Sequence, residues 1–232
     1  MKEYFESIIA HDLEDRIKEQ EVRKFLFSLE PHIPLMENYD QNHKYHCYDL
    51  LTHTVKTVDH IPDDGVTPEE MKLLKTAAFF HDVGKIVTAK PVLRQDGSIQ
   101  TSYFHHPEES EKLALPVLIK LGYRGIDLRK IRFFIVAHDT FMHFMPAGEA
   151  LSRRFVIEEV NVNNKAMYLK FKRHDLNPSY HDFWLLMHLS RSDYLAHSPI
   201  VRDAKGNIRD TNERMCARSK MIQDIFAELQ EQ

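Results

Sequence analysis

The sequence of 232 residues is poor in glycine and cysteine, and it has no long apolar run. Its 7 glycines suit long helices better than turn-rich β structure. The 2 cysteines, Cys47 and Cys216, lie far apart without CxxC spacing, so neither a disulfide framework nor a zinc–thiolate cluster is expected. Because no run is apolar over the length of a bilayer, a membrane-spanning protein is not expected either.

The sequence also has no excess of positive charge. Lys+Arg is 31 and Asp+Glu is 35, which gives a formal net charge of −4, so the charge does not support RNA as a partner. The 43% of hydrophobic residues is ordinary for a globular protein and excludes intrinsic disorder. The charged, amphipathic start lacks the apolar stretch of a signal peptide. We therefore expect a cytoplasmic protein.

Most segments repeat their apolar residues with a helical period. Helices are expected within 3–30, at about 49–61, from Thr67 toward Gly84, after Pro107, after a cap at Asp127, over 180–197 and at about 212–228. Residues 86–104 are expected to be irregular, and segment 146–176 combines helical stretches with a strand pair around 161–164. The prediction is one all-α domain over 1–232, with its core at about 45–197 and peripheral helices over 1–35 and 205–232.

The 15 histidines are an excess, and the densest signal among them is His81-Asp82 in the segment AAFFHDVGK. The pair lies where an apolar helix meets a Gly-Lys break, so an imidazole and a carboxylate could both reach a metal ion in a crevice. The simpler alternative is a helix-terminal histidine, stabilised by the helix dipole, beside an exposed aspartate.

His53 and Asp193 extend this signal on two other predicted helices. Asp193 follows Leu186 and Leu189 at helical spacing, and an aspartate on an apolar face is costly unless it is paired or binds a metal. Two histidines and two aspartates without cysteine form a nitrogen and oxygen ligand set, which suits Mn, Fe, Mg, Ni or Zn.

These residues, in the segments THT, FFHDVGK and RSDYLAH, resemble the HD superfamily of metal-dependent phosphohydrolases. The resemblance covers roughly residues 45–197. It implies an HD-domain helical bundle with additional N- and C-terminal helices, in which His53, His81, Asp82 and Asp193 hold a divalent ion (Mn, Mg, Fe, Ni, Co or Zn). The HD domain found beside tRNA nucleotidyltransferases is the most similar kind, although no nucleotidyltransferase domain fits in this chain.

Two more histidines, His106 and His138, lie at positions similar to those that complete a second site in two-metal members. The sequence leaves the number of ions, one or two, undecided, because these histidines could instead contact phosphate or support the ligands. His105 could replace His106, since the sequence does not decide which one faces the site.

Other candidates surround the predicted centre. Lys85 is expected to supply a charge for phosphate, or else to be a solvated helix-terminal lysine. Glu109 and, more weakly, Asp139 could orient a ligand. His197, four residues after Asp193, could contact it, whereas His46 is expected in or near a loop without a ligand role.

The resulting prediction is a metal-dependent phosphomonoesterase or phosphodiesterase that uses metal-activated water, with His81, Asp82 and Lys85 as catalytic residues. Its substrate would be a nucleotide, another small phosphate ester or an RNA end, and an oligomer is compatible with the sequence. Gly84-Lys85-Ile86 after the HD pair makes alarmone hydrolysis unexpected. Two alternatives are a non-catalytic, metal-containing ligand-sensing or regulatory module and a di-iron oxygenase.

Overall fold

The computed structural model describes residues 1–43, 45–94, 97–142, 171, 175–202 and 205–231. This part of the chain is mostly helical, which confirms the all-α prediction. The first helices are α1 (Lys2–Ile9), α2 (Leu13–Arg16), α3 (Gln20–Phe27), α4 (Leu50–Asp59), α5 (Pro68–Phe80) and α6 (Lys85–Thr88). The others are α7 (His106–Leu121), α8 (Gly125–Ala137), α9 (Tyr180–Leu195) and α10 (Asn212–Gln230).

The core lies where α4, α5, α8 and α9 pack against one another. Every residue from 73 to 80 of α5 is buried, so this helix enters the core instead of lying on it with one face. On one side α1 covers the core, with the Phe5 ring 5.6 Å from that of Phe79. On another side α10 lies along α9, where Phe226 stacks on Phe183 at 5.2 Å. Each such buried ring contributes about 1.5–3 kcal/mol to folding.

Polar caps fix where α5 and α9 begin. Thr67 Oγ1 accepts from the Glu70 amide, and the Glu70 carboxylate accepts from the Thr67 amide at 3.0 Å. The capping box predicted from Thr67-Pro68-Glu69-Glu70 is therefore confirmed. Ser179 and Asp182 form the same reciprocal pair at the start of α9. Both helices thus enter the core in a defined register.

Two short β-hairpins lie in the described part of the chain. Strand β1 (Lys90–Leu93) pairs antiparallel with β2 (Ile99–Ser102), so the prediction of an irregular 86–104 segment was wrong in part. Strand β3 (Ile200–Arg202) pairs with β4 (Ile208–Thr211), which the sequence did not indicate. Strands of three or four residues are too short to show a clear two-residue period.

Other local predictions are also corrected. The segment 3–30 forms three helices instead of one or two. Helix α8 begins at Gly125 with Arg124 as its N-cap, so Asp127 lies in its first turn and not at the cap. The Asp127 carboxylate lies 3.6 Å from Lys2 Nζ instead. The strand pair expected around 161–164, and most of segment 146–176, lie outside the described residues. None of the described helices combines the length and apolarity needed to cross a membrane.

Candidate metal centre

The predicted ligands His53, His81, Asp82 and Asp193 lie in one buried cluster. His53 Nε2 is 3.2 Å from Asp82 Oδ2 and 3.0 Å from Asp193 Oδ1. His81 Nε2 is 3.2 Å from Asp82 Oδ2 and 3.9 Å from Asp193 Oδ1. Helix α4 supplies His53, and the last turn of α9 supplies Asp193. His81 and Asp82 come from the end of α5 and the turn after it.

The end of α5 explains how two neighbouring residues reach the same point. Neighbours on a regular helix point in different directions, but α5 ends at Phe80, and His81 is its C-cap. The chain then turns through Gly84 into α6. A Cβ at Gly84 would lie 2.5 Å from the His106 carbonyl oxygen. The glycine therefore allows the start of α7 to approach the turn that carries Asp82.

Backbone carbonyls fix the orientation of four histidine rings. Nδ1 of His53 lies 3.1 Å from the Ala196 oxygen, and Nδ1 of His81 lies 2.7 Å from the Ala78 oxygen. His106 and His138 make the same contact at 2.8 Å each. Because a carbonyl oxygen only accepts, each Nδ1 carries the proton. Nε2 of each neutral ring therefore offers a lone pair to the cluster, as metal-binding histidines do.

The cluster contains buried polar atoms that the described part of the protein leaves without a hydrogen bond of suitable geometry. They are Nε2 of His53 and His81, both oxygens of Asp82 and Oδ1 of Asp193. Leaving a buried donor or acceptor unsatisfied costs about 1–3 kcal/mol. Ligand atoms of His53, His81 and Asp82 lie within 4.8 Å of one another, and such a set of nitrogen and oxygen atoms suits a divalent cation. The residues therefore fit a metal ion.

Asp82 joins this cluster to a second histidine pair. Its Oδ1 lies 3.2 Å from His106 Nε2 and 3.6 Å from His138 Nε2, whereas Oδ2 faces His53 and His81. Asp82, His106 and His138 form a second group with metal-ligand geometry. His106, and not the exposed His105, is thus the residue that reaches the cluster.

Lys85 is buried beside the cluster, so it is not the solvated lysine considered above. Its Nζ lies 2.7 Å from Asp82 Oδ2 and 2.9 Å from Gln41 Oε1. One positive charge therefore balances the Asp82 carboxylate.

Two more histidines, His197 and His46, lie beside the cluster, although the sequence pattern gave little weight to either. His197 Nε2 lies 3.3 Å from Asp193 Oδ1, as the four-residue spacing suggested. The His46 ring contacts those of His53 and His197, with centroids 5.0 and 4.8 Å apart. His46, His53 and His197 also satisfy metal-ligand spacing. In the sequence, His46 lies seven residues before His53, so the two could share one helix face. Because His46 was expected in or near a loop, it was given no ligand role.

The two weaker orienting candidates differ in position. Glu109 pairs with Lys112 at 3.2 Å, one turn further along α7, and it is not part of the cluster. Asp139 lines the cavity next to His138.

The electrostatics of the cluster favour the protonation states that ligands need. Burial alone would protonate Asp82, but nearby His81 and Lys85 outweigh it and hold the pKa of that carboxyl well below its ordinary value. For Asp193 the effect of burial is outweighed by His197 and His53, and its pKa is also well below normal. Burial, with His81 and His106 nearby, lowers the pKa of His138 to about 4. The carboxylates are therefore ionised and His138 is neutral at neutral pH.

His53 differs from these residues in its electrostatics. Burial opposes its charged form, yet the carboxylates of Asp193 and Asp82, 3.0 and 3.2 Å from Nε2, raise the pKa of His53 to about 9. A proton on His53 Nε2 thus partly neutralises the two carboxylates, and a cation bound there would replace it.

A cavity of about 750 Å³ opens from the cluster to solvent. Asp82, His106, His138 and Asp193 line its inner part. Tyr103 and Phe104, from the segment between β2 and α7, also line it, as do residues of α10. This volume is in the range of small-molecule sites, which is about 300–1,000 Å³.

The sequence model of the HD domain matches residues 44–169, just over half of the chain. The match includes His53, His81 and Asp82, together with His106 and His138, and it ends before Asp193. No curated protein matches the chain.

Proposed function

We propose that this chain, which belongs to the HD domain family, is a metal-dependent phosphohydrolase that acts on a nucleotide or another small phosphate ester. The observation that carries the proposal is the set of unsatisfied nitrogen and oxygen atoms around Asp82, at the inner end of a cavity of small-molecule size. A closer relation to the HD domains beside tRNA nucleotidyltransferases remains a prediction.

His53, His81, Asp82 and Asp193 would hold a divalent ion, and His106 and His138, together with Asp82, would hold a second one. When bound, such ions polarise a phosphoryl oxygen and lower the pKa of a water molecule. The metal stays open among Mn, Mg, Fe, Ni, Co and Zn, because all of them accept nitrogen and oxygen ligands.

Side chains of the protein account for the position of the substrate. Lys85 lines the cavity, with Nζ held by Asp82 and Gln41, and in this proposal its positive charge assists phosphate binding. In the reaction, a water oxygen forms a bond to phosphorus while the bond from phosphorus to the alcohol oxygen breaks. The alcohol leaves with a proton, and inorganic phosphate or a phosphomonoester is the other product.

Aromatic side chains support a nucleotide as the substrate class. Tyr45, Tyr103 and Phe104 line the cavity, and Phe104 is 79% exposed. An exposed ring at a cavity offers a surface on which a base can stack, and base stacking contributes about 1–3 kcal/mol.

The test is turnover of a panel of phosphate esters with Mn, Mg, Fe, Ni, Co and Zn each supplied. The panel contains p-nitrophenyl phosphate, its diester, and nucleoside 5′-, 3′- and 2′,3′-cyclic phosphates. We expect turnover with at least one metal and its loss in His81→Ala. The absence of turnover across the panel would overturn the proposal. If metal is bound and only ligand affinity changes in the variant, the chain is a sensing module. Iron-dependent oxygen consumption would identify an oxygenase.

A further inference from the structure

Four tyrosine and phenylalanine rings of the described residues line the cavity, and three of them already have partners. Tyr45 and Tyr194 each contact a histidine ring, with centroids 5.3 and 5.9 Å apart. The Tyr103 ring faces Lys85 Nζ at 5.5 Å. Phe104 is 79% exposed and makes no ring or cation–π contact within the described part of the chain. Phe104 is therefore the ring that is free to stack on a ligand.

The backbone on both sides of Phe104 is held in place. Before it, the Tyr103 hydroxyl donates to the carbonyl oxygen of Gln41 at 2.7 Å. After it, the chain turns through His105 in the left-handed conformation, with φ +65°, and the His106 amide donates to the Tyr103 oxygen at 3.1 Å. Because this turn is already ordered, a flat ligand that covers the ring has little backbone freedom to remove.

The same turn places Phe104 close to the candidate metal centre. The proposed ligand His106 lies two positions further along the chain, so the two Cα atoms are at most about 7.6 Å apart. A phosphate at the metal centre and a group stacked on Phe104 can therefore belong to one small molecule. Leu93 and Ile99, on the neighbouring hairpin, are also exposed but do not line the cavity. Phe104 thus differs from them in its access to the site.

A nucleotide offers a flat ring at such a distance, because its base is joined to the phosphate through a single sugar. Stacking on an aromatic ring uses the π face that every base has. We propose that Phe104 stacks on the base of a nucleoside phosphate whose phosphate lies at the metal centre. The inference rests on the proposed function: it narrows the substrate from a small phosphate ester to a nucleotide and names the residue that selects it.

The experiment compares adenosine 5′-monophosphate with ribose 5-phosphate, which has the sugar and the phosphate but no base. Both are measured as substrates by kcat/KM or, where they are not hydrolysed, as inhibitors of an ester that is. We expect the wild type to favour the nucleotide by about tenfold or more. In Phe104→Leu, which keeps an apolar side chain but removes the π face, this preference should fall to about twofold or less.

Two further variants separate stacking from folding. Phe104→Trp keeps a flat aromatic face and should retain the preference. Leu93→Ala removes an apolar side chain that is 72% exposed but lies outside the cavity, and it should also retain the preference. Because both positions are exposed, circular dichroism should show the wild-type fold in each variant.

Each outcome decides for or against the inference. Equal values for the two compounds in the wild type would overturn it, as would a preference that survives in Phe104→Leu or one that is lost equally in Leu93→Ala. If no ester at all is hydrolysed, the proposed function fails. Calorimetric Kd values of the metal-loaded protein for the two compounds, in the wild type and in Phe104→Leu, then still decide whether Phe104 recognises a base.

Discussion

Helix α9 contributes to two buried polar regions that differ in one respect. Near its middle, His188 is fully buried. Its Nε2 lies 3.2 Å from the backbone carbonyl oxygen of Asp64, and its Nδ1 lies 3.3 Å from that of Trp184. The Gln223 amide lies 2.9 Å from His188 Nδ1. Near the C-terminal end of α9, Asp193 faces His53 and His81, whose Nε2 atoms have no hydrogen bond within the described residues.

The difference shows that burial of a histidine does not by itself indicate a site. The nitrogens of His188 have hydrogen-bonding neighbours, so this ring serves to join α9 to α10 and to the turn before α5. His53 and His81 each use only Nδ1 for the backbone and leave Nε2 directed at carboxylates. We interpret the first region as structural and the second as a metal centre, and the following predictions test this comparison.

The largest effect is expected on activity. His81→Ala removes a proposed ligand and should reduce kcat/KM by at least about 100-fold, the order seen when one electrostatic stabiliser of a transition state is removed. His188→Gln should retain kcat/KM within about twofold, because His188 lies outside the cluster. Steady-state kinetics with saturating metal provide the measurement.

Circular dichroism spectra of both variants serve as the control for folding. If His188→Gln lost as much activity as His81→Ala while remaining folded, the two regions would not differ in the proposed way.

A smaller effect is expected on thermal stability when metal is removed. An ion at about 100 times its Kd stabilises the folded state by about 2.7 kcal/mol. For a domain of this size that corresponds to a Tm higher by about 5–10 °C. Thermal denaturation with metal and with excess chelator should show this difference in the wild type and in His188→Gln. A shift of the same size in His81→Ala would mean that the ion binds elsewhere.

The smallest effect concerns pH and the structural region. Burial lowers the pKa of His188, so the unfolded chain takes up a proton at higher pH than the folded one. Stability contributed by the neutral ring is therefore present above the unfolded pKa of about 6.5 and is lost as the pH falls below it. Between about pH 7.5 and about pH 5.5, the wild type should lose about 1 kcal/mol more than His188→Gln.

Urea denaturation at the two pH values, with saturating metal in each sample, measures this difference. Titration of the metal centre is common to both proteins and cancels in the comparison. Identical pH dependence of the free energy of unfolding in the two proteins would show that His188 does not titrate as described.

Much of the helical fold could be predicted from the sequence because its signals are local. The capping box at Thr67 and the apolar period placed α5, and the spacing of Asp193 on α9 placed a carboxylate on a buried face. The His81-Asp82 pair was a candidate because it ends an apolar helix at a Gly-Lys break, and His53 because it lies on the preceding predicted helix. The structure brings these residues together.

The cavity could not be predicted, because its residues meet only in three dimensions. Tyr194 and Arg218 are separated from Lys85 by more than 100 positions in the sequence, and all three line the same cavity. The choice between His105 and His106 depended on the backbone at the start of α7, where His105 adopts φ +65°. The two short hairpins also left no periodic signal in the sequence.

The central claim is that the atoms around Asp82 bind metal, and elemental analysis tests it most directly. Wild type, Asp82→Asn and His188→Gln are purified without chelator or nickel affinity, incubated with each candidate metal, and freed of excess ion. We expect about one to two tightly bound ions per chain in the wild type and in His188→Gln, and almost none in Asp82→Asn. A wild type that retains no metal, or an Asp82→Asn variant that retains the wild-type amount, would contradict the account.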